Sequence, residues 1–218
     1  MKDRDKINVI LLAAGNSRRF GSNKLLTEFR GKTLYRYTFD MAKKLAEWLK
    51  KTNIDSNIVI VSQYEEILTE AEISGYMTIK NNKPEEGISY SIKLALRACS
   101  QPGDRENKKI KIYNGLKYLF FVCDQPLLRS ESVINLIFAY MNSDKAMGCL
   151  VYKNRLGNPC IFDSKCVPDL LELEGDAGGK KIILLNPDST LMVESCEEKE
   201  LFDIDNIADF YELENDLK

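Results

Sequence analysis

INVILLAAGNSRRFGSNKLL, residues Ile7 to Leu26, joins a buried strand to a glycine-rich, basic loop. Val9 to Ala14 is an unbroken apolar run that opens on β-branched residues, the pattern of a strand covered on both faces. Gly15 ends the run. Gly15 and Gly21 bracket Asn16, Ser17, Arg18 and Arg19, and Lys24 follows, so backbone N–H groups and three cations collect at the carboxyl end of a buried strand. Open α/β sheets bind ligands at that end. Glycine lets backbone approach an anion, and Arg or Lys neutralises it, so a phosphate-bearing ligand, most naturally a nucleotide, is expected here. The loop matches neither GxxxxGK[ST] nor GxGxxG.

Outward from this stretch the chain alternates strand and helix patterns. Leu34, Tyr37, Met41, Leu45 and Trp48 recur at three- and four-residue steps, as on one face of an amphipathic helix. Asn57 to Ser62 reads as a second buried strand, Tyr64 to Ile73 as a helix and Tyr76 to Lys80 as a short third strand. Such βαβαβ order predicts a mostly parallel sheet covered by helices on both sides. A helix is expected to start near Gly87 to Ser89, with a serine capping its first amides. Ser100 to Lys111 is polar and reads as a surface loop without a catalytic role.

Lys117 to Cys123 predicts another buried strand, delivering Asp124, Gln125 and Pro126 to its carboxyl end. A carboxylate there can hold a divalent cation against phosphates, or it can cap the helix that starts after Ser130. Ala146 to Tyr152 and Gly157 to Phe162 read as strands, and Lys153 to Leu156 could turn a hairpin between them, which would interrupt the parallel order. Asp176, Gly178, Gly179 and Lys180 precede a further helix, and Asp203, Asp205 and Asp209 follow a Thr190 to Val193 strand.

Composition narrows the chemistry. The 218 residues suit one domain, residues 1–218. Lys plus Arg number 31 against 33 Asp plus Glu, too balanced for a general nucleic-acid or anionic-membrane binder. No apolar run approaches a membrane span, and the chain is expected to be cytoplasmic and monomeric. The six cysteines form no CxxC pair and are expected to be reduced core residues. Histidine is absent, which excludes Ser-His and Cys-His nucleophiles and the HxGH type of cytidylyltransferase. Carboxylates, cations, backbone and metal must carry any reaction.

The loop resembles the LAAGxSxRxGxxK signature of nucleotidyltransferases at Leu12, Ala13, Ala14, Gly15, Ser17, Arg19, Gly21 and Lys24. The later segments resemble, in the same order, that family's GxSxS (Gly87, Ser89, Ser91), DQP (Asp124, Gln125, Pro126), GxP stretch (Asn158, Pro159), GDxGAR (Asp176, with Lys180 where Arg is common) and DIDTPED. In the last, Asp205 stands at the second Asp, while Asn206, Ile207 and Ala208 replace Thr, Pro and Glu. The likeness is greatest to molybdenum cofactor cytidylyltransferases. It implies a three-layer α/β/α Rossmann-like nucleotide-diphospho-sugar transferase fold, with CTP and a molybdopterin-type cofactor as substrates and pyrophosphate as product. It also implies Mg²⁺ or Mn²⁺ on Asp124 and Asp205, charge stabilisation by Lys24 and Arg19, Asn158 and Pro159 beside the second substrate, and transient contact with a molybdenum hydroxylase. Ala14 stands where the guanylyl branch reads Gly, and its methyl would crowd a purine. A Lys24→Met change is expected to leave stability near normal. A sugar-phosphate or methylerythritol-phosphate cytidylyltransferase, a molybdenum cofactor guanylyltransferase, and a non-catalytic nucleotide-binding protein remain open alternatives.

Overall fold

The computed structural model describes residues 5–17, 20–21, 23–100 and 115–215. Arg18, Arg19 and most of the polar Ser100–Lys111 segment lie outside them. Strands β1 (Lys6–Ala13), β4 (Asp55–Ser62), β5 (Met77–Lys80), β6 (Leu116–Val122), β7 (Met147–Tyr152), β8 (Arg155–Asp163) and β9 (Thr190–Glu194) form one sheet in the order β5-β4-β1-β6-β8-β7-β9. All neighbours pair in parallel except at β8, which runs against both β6 and β7. The anticipated hairpin is therefore real, and it needs only two turn residues. Lys153 and Asn154 both take positive φ, +46° and +69°, as a tight turn between twisted antiparallel strands requires. The expected fold class, a mostly parallel mixed sheet between helical layers, is the one observed.

Strand alternation builds the three layers. Ile7, Val9, Leu11 and Ala13 point into one core, with α1 (Leu34–Lys51), α2 (Glu65–Ile73) and α4 (Ser130–Met141). Ile10 and Leu12 point into the other, with α3 (Ile88–Cys99), α5 (Val167–Leu171) and α6 (Gly179–Leu185). Each fully buried aliphatic side chain contributes about 1.5–3 kcal/mol, so a β1 covered on both faces is firmly held in the middle of the sheet. From β1 the chain winds out through β4 to β5, then returns to place β6 on the other side of β1. That reversal opens a crevice at the carboxyl ends of β1 and β6.

A third, smaller cluster sits at this edge. Phe20, Phe29, Leu34 and Ile204 pack with Phe210 and Leu213 of α7 (Ile207–Asn215). Phe29 belongs to a two-stranded ribbon, β2 (Glu28–Phe29) with β3 (Lys32–Thr33), that the sequence pattern did not foretell. The cluster brings the carboxyl-terminal segment against the glycine-rich loop.

Two local expectations are corrected. Helix α3 begins after Gly87 with no side-chain cap; instead the Ser89 N–H donates to Gly175 O at 3.1 Å. Of the six cysteines, none of which forms a disulfide, Cys196 is exposed rather than in the core. Among the described residues no helix is long and apolar enough to cross a membrane.

Candidate active site

The crevice is a cleft of about 390 Å³. One wall is the turn after β1, whose shape is set by residues at the end of β4. Ser62 Oγ donates to Ala13 O (2.9 Å), Gln63 Nε2 to Ala14 O (2.9 Å), and Tyr64 Oη to Gly15 O (2.8 Å). Gln63 Nε2 also reaches Asn16 Oδ1 at 3.0 Å. With its carbonyls held from the side, the turn presents Ala14, Gly15 and Ser17 to the cleft. The opposite wall is the start of α3. Gly87 has φ +82°, and a Cβ there would meet Gly175 and Asp176 at 2.4–2.7 Å, so only glycine lets this turn lie against the GDAGG segment. Ser91 lines the cleft and accepts from the buried Asn81 Nδ2 at 3.0 Å.

Lys24 lies at the end of the cleft. Asn23 caps its short helical turn, and the Lys24 N–H donates to Ser17 Oγ at 3.2 Å. Its ammonium donates to Asp124 Oδ2 at 2.7 Å, to Ile204 O at 2.8 Å and to Asp205 Oδ1 at 3.1 Å. Burial alone would lower this ammonium's pKa, but Asp124 and then Asp205 outweigh it, and the net shift is upward. Asp124 is not a helix cap: α4 is preceded by Arg129, and no side chain caps it. The other Asp124 oxygen, Oδ1, is buried without a hydrogen-bond partner. Two carboxylates and a main-chain carbonyl are donors that suit a hard divalent cation, and the orphaned Oδ1 adds a further oxygen. The residues present therefore fit such an ion.

The carboxyl-terminal segment is fastened to the end of β6 at three points. The Ile204 N–H donates to Asp124 O (3.1 Å), Gln125 Nε2 to Asp203 Oδ1 (2.7 Å), and Lys24 bridges Asp124 to Asp205. The altered motif still makes a helix entry. Asn206 Oδ1 accepts from the N–H groups of Ala208 (2.8 Å) and Asp209 (3.1 Å), while Asp209 Oδ2 accepts from Asn206 (2.9 Å) and Asp205 (2.8 Å). This is a reciprocal cap built from Asn and Asp instead of Thr and Glu.

A family model, that of the MobA-like NTP transferase domain, matches residues 9–190. The chain belongs to the MobA-like NTP transferase family. No curated protein matches it. Among solved structures, the Rv0371c homolog from Mycobacterium sp. strain JC1 is 22% identical over 99% of this chain and 98% of its own, with a TM-score of 0.74. Rv0371C from Mycobacterium tuberculosis, solved as a complex with manganese, is 18% identical over 96% and 97%, TM-score 0.66. A CMP:2-keto-3-deoxy-manno-octonic acid synthetase complexed with CTP is 11% identical over 98% of both chains, TM-score 0.66. At such identities the likeness shows the shared fold, and the NTP transferase family assignment makes this chain a nucleotidyltransferase.

Of the residues singled out in the sequence, Leu12, Ala14, Gly15, Ser17, Lys24, Gly87, Ser91, Asp124, Asp176 and Asp205 line the MobA-like cleft. Ala13 is buried and contributes its carbonyl to the Ser62 contact, and Gly21 forms a left-handed turn (φ +77°) outside the cleft. Ser89 lines a neighbouring recess with Glu85 and Lys93. Gln125 and Pro126 lie buried behind Asp124. Asn158 and Pro159 are on β8, and from the pair Phe120↔Cys160 the antiparallel register carries them alongside the end of β6, outside the cleft lining. Lys180, in the first turn of α6, also stands outside it, where its charge acts on Asp203. Arg19 lies outside the described residues.

Sequence reasoning missed Gln63, Tyr64, Asn81 and the role of Asp203. Burial, then the charge of Asp124, pushes the Asp203 carboxyl up to about 6, against the opposing effects of Lys180 and Gln125. Gln63 and Tyr64 could have been found, since they follow a buried parallel strand just as Asp124 does.

Proposed function

We propose that this nucleotidyltransferase, as a single domain over residues 1–218, transfers CMP from CTP to the phosphate of a molybdopterin-type molybdenum cofactor and releases pyrophosphate. The observation that carries the reading is the convergence of Lys24, Asp124 and Asp205 in the same cleft as Ala14. Ala14 and Gly15 would face the base and ribose, with Leu12 on the same β1 side of the cleft and Gly87 and Ser91 on the opposite wall. The methyl of Ala14 favours a pyrimidine, and Asn158 and Pro159 would lie toward the acceptor, while Gln125, buried behind Asp124, would hold Asp203 in place.

In the reaction an oxygen of the acceptor phosphate bonds to the α-phosphorus of CTP while the bond to the bridging oxygen breaks, and pyrophosphate leaves with both bonding electrons. The acceptor's second pKa, about 6 for a phosphate monoester, leaves it mostly ionised at neutral pH, so no general base is needed. A chain without histidine suits that chemistry. Lys24, together with Arg19, would neutralise charge growing on the leaving group. Asp124 and Asp205 would hold Mg²⁺ or Mn²⁺, which supplies Lewis-acid stabilisation of the phosphate oxygens when bound. The manganese and CTP of the two structural relatives are compatible with this reading. The product would pass to a molybdenum hydroxylase by transient contact, with the protein a cytoplasmic monomer.

The test is pyrophosphate release from CTP, GTP, ATP and UTP, with molybdenum cofactor, methylerythritol phosphate, a sugar phosphate or no acceptor. Release from CTP that depends on molybdenum cofactor is the expected result. Dependence on another acceptor moves the protein to a different branch of the fold, and nucleotide binding without release makes it a non-catalytic binder.

A further inference from the structure

The Lys24 ammonium sits among the oxygens that the proposed cation needs. Asp124 Oδ2, Ile204 O and Asp205 Oδ1 all lie within 3.1 Å of it. We infer that in the nucleotide-free enzyme Lys24 is a built-in counter-ion that keeps divalent metal off Asp124 and Asp205, and that metal enters only when nucleotide phosphates draw the lysine away. This inference rests on the reading of the two aspartates as metal ligands.

Charge and geometry support it together. Two carboxylates facing one ammonium leave a single net negative charge, a weak lure for a divalent ion, and admitting that ion with Lys24 in place would press like charges together. Asp124 Oδ2 and Asp205 Oδ1 are already engaged by the ammonium, and although Asp124 Oδ1 has no partner it belongs to the same carboxylate, so an ion held there would still lie close to the Lys24 charge. Ile204 O is tied in as well, since the Ile204 N–H is bonded to Asp124 O and its peptide cannot swing freely. Lys24 itself can leave without disturbing the fold. Its backbone is fixed by the Asn23 cap and by Ser17, whereas the four-carbon stem is flexible and carries three rotatable donors. The Gly15–Ser17 turn opens on the same cleft, so a triphosphate bound there offers the ammonium another set of anionic oxygens. Metal and nucleotide should then each strengthen the other's binding by the same factor.

The test measures Mn²⁺ alone, by equilibrium dialysis with the free ion read by electron paramagnetic resonance, for the wild-type chain, Lys24→Met, Lys24→Gln and the double variant Lys24→Met with Asp124→Asn, each with and without CTP. Without nucleotide, both single variants should bind Mn²⁺ at least about tenfold more tightly than wild type, and CTP should strengthen wild-type binding by at least about tenfold. The double variant should lose the gain. In parallel, Mn²⁺ should raise the melting temperature of the single variants and not that of nucleotide-free wild type. Wild type that binds Mn²⁺ without CTP as tightly as the variants overturns the inference and leaves the metal ligands standing; because this arm uses only wild type, it decides even if a variant fails to fold. Single variants that still require CTP for Mn²⁺ also overturn it. Failure of every protein to bind Mn²⁺, with or without CTP, refutes the metal-ligand reading itself.

Discussion

The glycine-rich loop and the carboxyl-terminal DIDN segment both reach Lys24, but they are built by different means. The loop follows a strand buried on both faces, and its carbonyls are held by Ser62, Gln63 and Tyr64. The DIDN segment, Asp203 to Asn206, is not part of any strand. It is held by an Asn206–Asp209 cap, by the ties to Asp124 and Gln125, and by Phe210 and Leu213 in the small third cluster. A motif set by main-chain geometry tolerates few other residues, whereas a motif set by capping can be rebuilt with other polar side chains. In this chain the loop matches the nucleotidyltransferase signature that it resembles, and the tail departs from its own at Asn206, Ile207 and Ala208.

The comparison breaks first where the two regions share an anchor. Asp124→Asn should reduce pyrophosphate release to background with the fold retained, because an amide lacks the charge that a hard divalent cation requires. Turnover like that of wild type would detach both regions from the chemistry. Lys24→Met comes next, with a fall of about a hundredfold or more in turnover for the loss of one contact to the developing charge. The structure argues against near-normal stability for this variant, since Lys24 is a buried partner of two carboxylates. Removing it should cost about 3 kcal/mol, the low end for breaking a buried pair because Asp205 is half exposed. For a chain of this size that is about 6–12 °C in melting temperature in metal-free buffer, measurable by calorimetry.

Smaller changes separate the regions. In the loop, Ala14→Gly should lower the ratio of kcat/KM for CTP over GTP by about tenfold or somewhat more, the 1–3 kcal/mol that one methyl-sized difference in a pocket carries. A ratio that does not fall, or a wild type that prefers GTP, would remove the argument for a pyrimidine. In the tail, Asn206→Ala should cost about 1 kcal/mol, or about 2–4 °C, with the CTP:GTP ratio unchanged. Restoring the usual residues with Asn206→Thr and Ile207→Pro should leave the melting temperature within about 2 °C of wild type, because one cap replaces another. A large gain in turnover from that double change would mean that the tail's altered residues are functional and not merely equivalent.

The sequence by itself determined the alternation of strands and helices, the glycine-rich turn, and the placing of Asp124 at a strand end. Each follows from local pattern: apolar runs need two covered faces, and glycines and charges at a strand terminus need a ligand or a turn. Lys24, Asp124 and Asp205 were also named from their motifs. Only the tertiary structure decided that all three meet within hydrogen-bonding distance, because the contacts span 100 and 181 residues of chain and depend on the packing of Phe20, Phe29, Ile204 and Phe210. The roles of Gln63, Asn81 and Asp203 were hidden for the same reason. A buried polar side chain is defined by the partner it finds across the fold, and no periodicity along the chain records that partner.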